Sequence, residues 1–204
     1  MSTVHPPLKG DAEGRYRIAV VGNSGTGKTT MLRRLSHLLG IPALSLDELR
    51  FEPNWVKVPK EVFRARIQSF LEENNEWVID GNATSVLGTM TSESATDVIW
   101  LDPPFALYFP RLLWRTLGRI IGFTEQCAPG CKETWSNVFF HRESILLWAI
   151  TTHRRLWRRN SAALAADPVE RGGKWRRLGG WGREAKEWFL QVEELVKKPG
   201  RMLA

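Results

Sequence analysis

Residues 16–39 read YRIAVVGNSGTGKTTMLRRLSHLL, and this stretch decides the fold. Tyr16 to Val21 is an apolar run with the look of a buried strand, and Lys28 to Leu39 has helical spacing of its apolar residues. Between them lie Gly22, Asn23, Ser24, Gly25, Thr26, Gly27, Lys28 and Thr29, with Thr30 following. Two glycines, a lysine and a hydroxyl residue at this spacing form a phosphate-binding loop. The glycines let the backbone wrap so that several N–H groups converge on one anion, and the helix start adds its own dipole. Lys28 is placed to reach terminal phosphates. Thr29 is placed to offer its hydroxyl to a phosphate-bound magnesium ion. The loop implies a bound nucleoside triphosphate with magnesium.

Working outward, strand-like and helical patterns alternate. Pro42 to Leu46 is a short second strand ending in Asp47, and Lys60 to Asn74 is a helix. Trp77 to Ile79 is a third strand ending in Asp80-Gly81-Asn82, and Asp97 to Leu101 a fourth ending in Asp102. Such strand ends are where open α/β sheets bind ligands. A long helix is expected over Phe105–Ile121, a loop over 122–137, and a helix over Val138–Arg159. Ser161 to Gly173 is expected as loop or frayed helix, Trp175 to Leu178 as a fifth strand and Gly182 to Lys197 as a closing helix. The alternation predicts an α/β fold of three layers: a largely parallel, five-stranded sheet between helices, with a helical lid. Residues 1–14 are expected to be a loose, flexible tail. Residues 15–204 form one domain with its lid over about 111–159.

Composition bounds the function classes. The 204 residues carry a net charge of +7. The charge is uneven: residues 1–103 hold 11 Lys and Arg against 13 Asp and Glu, and residues 104–204 hold 18 against 9. A basic half suits a phosphate-transfer enzyme and also nucleic acid. Asp102, Pro103 and Pro104 interrupt the longest apolar run, which argues against a membrane span. The polar start argues against a secretory leader, and two cysteines argue for the cytoplasm rather than for a disulfide framework.

Arg111, Arg115 and Arg119 stand at i, i+4 and i+8, on one face of their helix, and suit closure over a triphosphate. Arg154, Arg155, Arg158 and Arg159 form a second basic cluster around Trp157, read as solvated surface with one phosphate-facing arginine as the alternative. Asp80 is the expected magnesium carboxylate beside Thr29. Asp102 competes for that role, although a helix-capping role suits it better. Asp47 lies on the acceptor side, as a base or a hydroxyl-binding group. Cys127 and Cys131, with Glu125, His141 and His153, have poor spacing for a metal knot, so free thiols in a lid loop are the expectation. No Asn-Lys-x-Asp guanine reader occurs, and neither Asp80 nor Asp102 is followed by the glutamate usual in motor ATPases. A compact kinase-like protein remains.

The strings GNSGTGKTTMLRRLSHLLGIP, LSLDELRFEPNW, WVIDGNATSV, DVIWLDPPFALYFPRLLWRTLGR and CKETW, in this order, resemble the adenylate-kinase-related family often labelled DNA topology modulation protein. The resemblance covers about residues 16–160. It implies a phosphate-loop NTPase fold of the nucleoside and shikimate kinase kind, ATP with magnesium at Gly22–Thr29, and lid arginines at Arg111, Arg115 and Arg119. It also implies an acceptor held near Asp47 and Arg50. Asp80-Gly81 resembles the start of the adenylate kinases' Asp-Gly-Phe-Pro-Arg motif, but Asn82, Ala83 and Thr84 replace its last three residues. Shikimate and gluconate kinases are similar too. The acceptor, bound by Asp47, Arg50, Gly81 and Asn82, stays open between a nucleotide and a small hydroxylated molecule. The alternative function is an ATP-binding regulator or weak ATPase acting on nucleic acid.

Overall fold

The strand that leads into the glycine loop, β1 (Arg17–Gly22), is the central strand of the sheet. The computed structural model describes residues 5–82, 89–121, 123, 131 and 145–197. Helix α1 (Lys28–Leu39) follows the loop, then β2 (Ala43–Ser45), the one-turn helix α2 (Leu46–Leu49), and a small hairpin of β3 (Phe51–Glu52) and β4 (Val56–Lys57). Next come α3 (Lys60–Glu73), β5 (Trp77–Asp80), α4 (Met90–Ser94), β6 (Asp97–Leu101), α5 (Phe105–Ile121) and α6 (Ile145–Ala166). Strand β7 (Trp175–Leu178) and helix α7 (Arg183–Lys197) complete the order.

Five strands pair in parallel in the order β2-β5-β1-β6-β7. The runs WVID and DVIWL are buried at every position, as strands covered on both faces must be. Alternate residues of β1 feed two cores. Ile18 and Val20 pack with Leu32, Leu35 and Leu39 of α1 and with Trp188, Phe189 and Val192 of α7. Ala19 on the opposite face packs with Phe63 and Ile67 of α3, with Leu164 of α6 partly buried beside them. Each fully buried leucine or isoleucine contributes about 1.5–3 kcal/mol relative to exposure. The result is the α/β three-layer fold of phosphate-loop NTPases. The strand order reverses beside β1, so the crevice at its C-terminal end is the ligand position.

Several elements depart from expectation. Strand β2 stops at Ser45, and Asp47 lies within α2 rather than after the strand. Helix α6 continues through Ala166, where a loop or frayed helix was expected, because the alanine-rich SAALAA favours helix and Ala163 and Leu164 pack on the second core. The segment expected as a loose tail is, over its described residues, fastened down. Leu8 is 2% exposed in the first core. Backbone N–H groups of Lys9 and Gly10 donate to the Asp97 carboxylate at 2.7 and 3.1 Å, and Trp188 Nε1 donates to the Pro7 carbonyl at 2.8 Å. One apolar side chain and a carboxylate at a strand start suffice to hold this otherwise polar stretch. The lid loop expected over 122–137 lies outside the described residues except for Phe123 and Cys131, as does the expected helix start at Val138. Among the described residues no helix is long and apolar enough to cross a membrane.

Candidate functional site

The phosphate loop is shaped by contacts that exclude side chains. A Cβ on Gly22 (φ 151°) would lie 2.5 Å from the Leu101 carbonyl oxygen, and one on Gly25 (φ 85°) would lie 2.9 Å from Leu112 Cβ and the Tyr108 oxygen. The loop therefore presses between β6 and α5. It also folds around its own Asn23 carbonyl, which accepts from Thr26 Oγ1 at 2.8 Å and from the buried Lys28 ammonium at 3.0 Å. Gly27 (φ 96°) caps α1, in whose first turn Thr29 is half-buried and Thr30 exposed.

Thr29 Oγ1 donates to Asp80 Oδ2 at 2.7 Å. The register pairs Val20 with Asp80, which sets this carboxylate level with the end of β1. Asp80 is fully buried, and its Oδ1 meets no hydrogen-bond partner of normal geometry among the described residues. Burial drives its pKa upward. The hydroxyl of Thr29, the Lys28 ammonium and the Ser45 hydroxyl oppose that shift, and Asp47 reinforces it. A carboxylate oxygen left without a partner beside a threonine hydroxyl is the hard oxygen donor set that suits magnesium and its water shell. Thr29 and Asp80 fit that ion.

Asp102 serves elsewhere. Its Oδ2 accepts from Arg177 Nε at 2.8 Å and Nη2 at 2.7 Å, which ties the end of β6 to β7. The two candidate carboxylates are thus separated by their partners.

On the acceptor side, Asp47 is exposed on α2, close enough to Asp80 to oppose its ionisation, and Arg50 closes that helix half-buried. Gly81 (φ 130°) passes so near α2 that a Cβ would lie 2.8 Å from Leu46 Cβ. Asn82 turns back to the phosphate loop: its Nδ2 donates to the Gly22 carbonyl, and Gly22 N–H points to Asn82 Oδ1 at 3.5 Å. Ala83 and Thr84 lie outside the described residues.

Helix α5 places its arginines unequally. Tyr108 and Leu112 touch the loop at Gly25, and helical spacing carries that side of the helix on to Arg115 and Arg119. Arg115 and Arg119 are half-buried, whereas Arg111 is exposed.

A residue missing from the expected site is Arg159. Its Nη2 donates to Asn82 Oδ1 at 3.2 Å and to Asn160 Oδ1 at 3.0 Å. Burial, helped by nearby Arg155, lowers its pKa. Arg154, Arg155 and Arg158 are exposed, as a solvated face would be. The signal was present in the spacing: Arg159 stands three residues after Leu156 and four before Ala163, on the buried side of α6.

The polar network behind the loop also escaped expectation. Asn23 Nδ2 donates to Tyr108 Oη at 2.8 Å and to the Ala149 carbonyl at 3.0 Å, and its Oδ1 accepts from Ser24 N–H at 2.8 Å. Tyr108 Oη lies 2.8 Å from His153 Nδ1. His153 is thus joined to the loop through Tyr108. Cys131 is a buried free thiol that donates to the Glu52 carbonyl at 3.3 Å. Among the described residues no cluster of His, Cys, Asp and Glu could hold a metal ion. Cys127, Glu125 and His141 lie outside them.

No family model matches the chain, and no curated protein matches it in sequence. Several solved structures are similar in layout. A shikimate kinase from Bacteroides thetaiotaomicron is 16% identical with a TM-score of 0.48, over 90% of this chain and 99% of that one. A shikimate kinase from Acinetobacter baumannii in complex with shikimate is 21% identical with a TM-score of 0.46, over 91% and 96%. A gluconokinase from Sinorhizobium meliloti 1021 is 13% identical with a TM-score of 0.46, over 90% and 95%. They add nothing to what the sheet order establishes, and the roles of residues rest on this chain's own geometry.

Proposed function

We propose that this chain is an ATP-dependent, magnesium-requiring phosphotransferase of the P-loop kinase type, related to the adenylate-kinase-like family its motifs resemble. It passes the terminal phosphoryl group of ATP to a small acceptor. The observation that carries the reading is the Thr29–Asp80 contact of 2.7 Å at the mouth of a glycine loop whose lysine is buried within it. The loop from Gly22 to Thr30 cradles the phosphates through backbone N–H groups, and Lys28 turns from the Asn23 carbonyl to the phosphates. Thr29 and Asp80 hold magnesium, which when bound neutralises charge on the β- and γ-phosphates.

Arg115 and Arg119, with Arg111 farther out, supply positive charge from the lid side. Asp47 takes the proton of an acceptor hydroxyl, while Arg50, Gly81 and Asn82 form its bed and Arg159 closes that bed from α6. Positioning and electrostatics carry most of the catalysis in this chemistry. The acceptor is a nucleotide or a small hydroxylated metabolite, and the reaction belongs in the cytoplasm.

The test is a screen of nucleoside monophosphates, hydroxylated carboxylic acids and sugar acids for acceptor-dependent ADP release with magnesium and ATP. Transfer to one class, lost in Lys28→Ala, is the expected result. Tight ATP binding with no acceptor across the screen would leave the weak-ATPase alternative in its place.

A further inference from the structure

The phosphate loop is held from behind by a chain of three side chains whose donors can be assigned. Asn23 is fixed by its own partners. Its Oδ1 accepts from Ser24 N–H, so its Nδ2 carries the two protons given to the Ala149 carbonyl and to Tyr108 Oη. Tyr108 Oη therefore accepts from Asn23, and its single proton goes to His153 Nδ1, 2.8 Å away. That bond requires the neutral imidazole with its proton on Nε2. The phenol is 1% exposed, and among the described residues it has these two partners and no other.

A second proton on the imidazole reverses the arrangement. Nδ1 becomes a donor, two N–H groups then converge on the phenol oxygen, and the phenol proton loses its acceptor in a buried position. Leaving a buried donor unsatisfied is costly. The relief available is to release Asn23, and with it the Ser24 turn of the loop.

Among the described residues the charged groups around the imidazole are few. Asp102, at the end of β6, lies near Tyr108 but is tied to Arg177. The loop itself brings Lys28, bonded to the Asn23 carbonyl. Helix α5 brings Phe105, whose ring meets His153 edge-on at 5.6 Å. On α6 the neighbouring Arg154 and Arg155 point to solvent.

We infer that Tyr108 and His153 are positioning residues for the phosphate-binding loop, and that a proton on His153 loosens the loop and weakens nucleotide binding. The inference rests on the reading of Gly22–Thr29 as a nucleotide site. It adds a device that couples helices α5 and α6 to the donor loop through imidazole charge.

The experiment measures affinity for magnesium-ATP by calorimetry at pH 5.5, 6.5 and 8 in wild type, His153→Asn and Tyr108→Phe. In parallel, the Asn23 side-chain amide is followed by NMR in the nucleotide-free protein over the same pH series. His153→Asn keeps a neutral acceptor near the Nδ1 position. Titration of the ATP phosphates and of Asp80 is common to all three proteins, so the difference between their pH profiles isolates His153. Wild-type dissociation constants should rise on acidification by about 3- to 10-fold more than those of His153→Asn, the effect of about one net hydrogen bond. Tyr108→Phe should bind more weakly at every pH, with the shallow profile of His153→Asn. The Asn23 amide should shift with pH in wild type and not in His153→Asn. Superimposable affinity profiles for wild type and His153→Asn overturn the inference. Absence of ATP binding at every pH removes the nucleotide reading of the loop and the nucleotide half of the inference with it. The positioning half then stands or falls on whether the Asn23 amide shift depends on His153.

Discussion

Thr29 Oγ1 and Asp80 Oδ2 stand 2.7 Å apart, joining the end of the phosphate loop to the neighbouring strand across 51 positions of sequence. Thr29→Val keeps the shape of the side chain and removes this hydroxyl. It should raise the magnesium concentration needed for half-maximal turnover by about 10- to 100-fold, the usual effect of disturbing a metal's surroundings. A magnesium titration of ADP release reads it, and a wild-type response would remove Thr29 from the metal site.

Asp80 makes a prediction with a definite sign. Burial raises its pKa above the ordinary 3.8, so ionised Asp80 works against the fold. A raised carboxyl contributes its stability at low pH, and that contribution is lost as pH rises above the unfolded value. Asp80→Asn should therefore melt at a higher temperature than the metal-free wild type at neutral pH, with the gap closing below about pH 3.8. The same substitution should abolish thermal stabilisation by magnesium-ATP. A variant that melts lower at pH 7 and equally at pH 3.5 would reverse the assignment.

The arginine stripe should not act uniformly. Arg115 is half-buried on the side of α5 that meets the loop, and Arg111 is exposed. Arg115→Ala should cost about 10³-fold or more in turnover, as loss of an arginine at transferring phosphate does, and Lys28→Ala should abolish it. Arg111→Ala should cost less than about tenfold, a screened surface effect. Equal losses in steady-state rates would mean that both reach the reacting phosphate.

Two loop glycines separate steric crowding from backbone strain. Gly25 and Gly27 both have positive φ, but a Cβ at Gly25 runs into Leu112 and Tyr108 whereas one at Gly27 meets nothing within 4 Å. Gly27→Ala should cost about 1–2 kcal/mol, the left-handed penalty alone. Gly25→Ala should cost more and should also lower affinity for ATP, because α5 and the loop must part. Denaturant melts and nucleotide titrations on the two variants make the comparison.

The N-terminal segment is testable through Leu8. Its truncation to alanine should destabilise by about 2–5 kcal/mol, the range for a buried leucine. Asp11 in the same segment pays a desolvation penalty, yet the backbone and side chain of Arg15 and the side chain of Arg17 hold its pKa at about 2. Its contribution should be complete above the ordinary 3.8 and disappear as pH falls through about 2. Asp11→Asn and wild type should then differ in acid melts at pH 5 and converge near pH 2.

Sequence patterns carried the sheet and the backbone of the glycine loop well, for one physical reason. Strands β1, β5 and β6 are covered on both faces and so carry the unbroken apolar runs IAVV, WVI and VIWL, and the glycines of the loop occupy backbone conformations that few other residues tolerate. The features that were not legible depend on distant partners. Asp80 and Asp102 both end apolar strands, and only the position of Arg177 on β7 separates the magnesium candidate from the paired carboxylate. Leu8 looks like one apolar residue in a polar tail until α7 lies over it. Arg159 is one of four similar arginines, and its role depends on Asn82, which lies 77 residues earlier. The Asn23–Tyr108–His153 line joins three elements whose local patterns carry no trace of one another.

The hydrogen bond from Trp188 to Pro7 closes a span of 181 residues. During synthesis β1 must wait for β5 and β6 to flank it, and Leu8 must wait for α7. The central strand of the sheet is thus left without its partners until both have been made. Long-range pairing of this kind folds slowly and leaves apolar edges open to aggregation. The need for chaperoning falls on the segment around Leu8 and on β1, the same strand that leads into the phosphate loop.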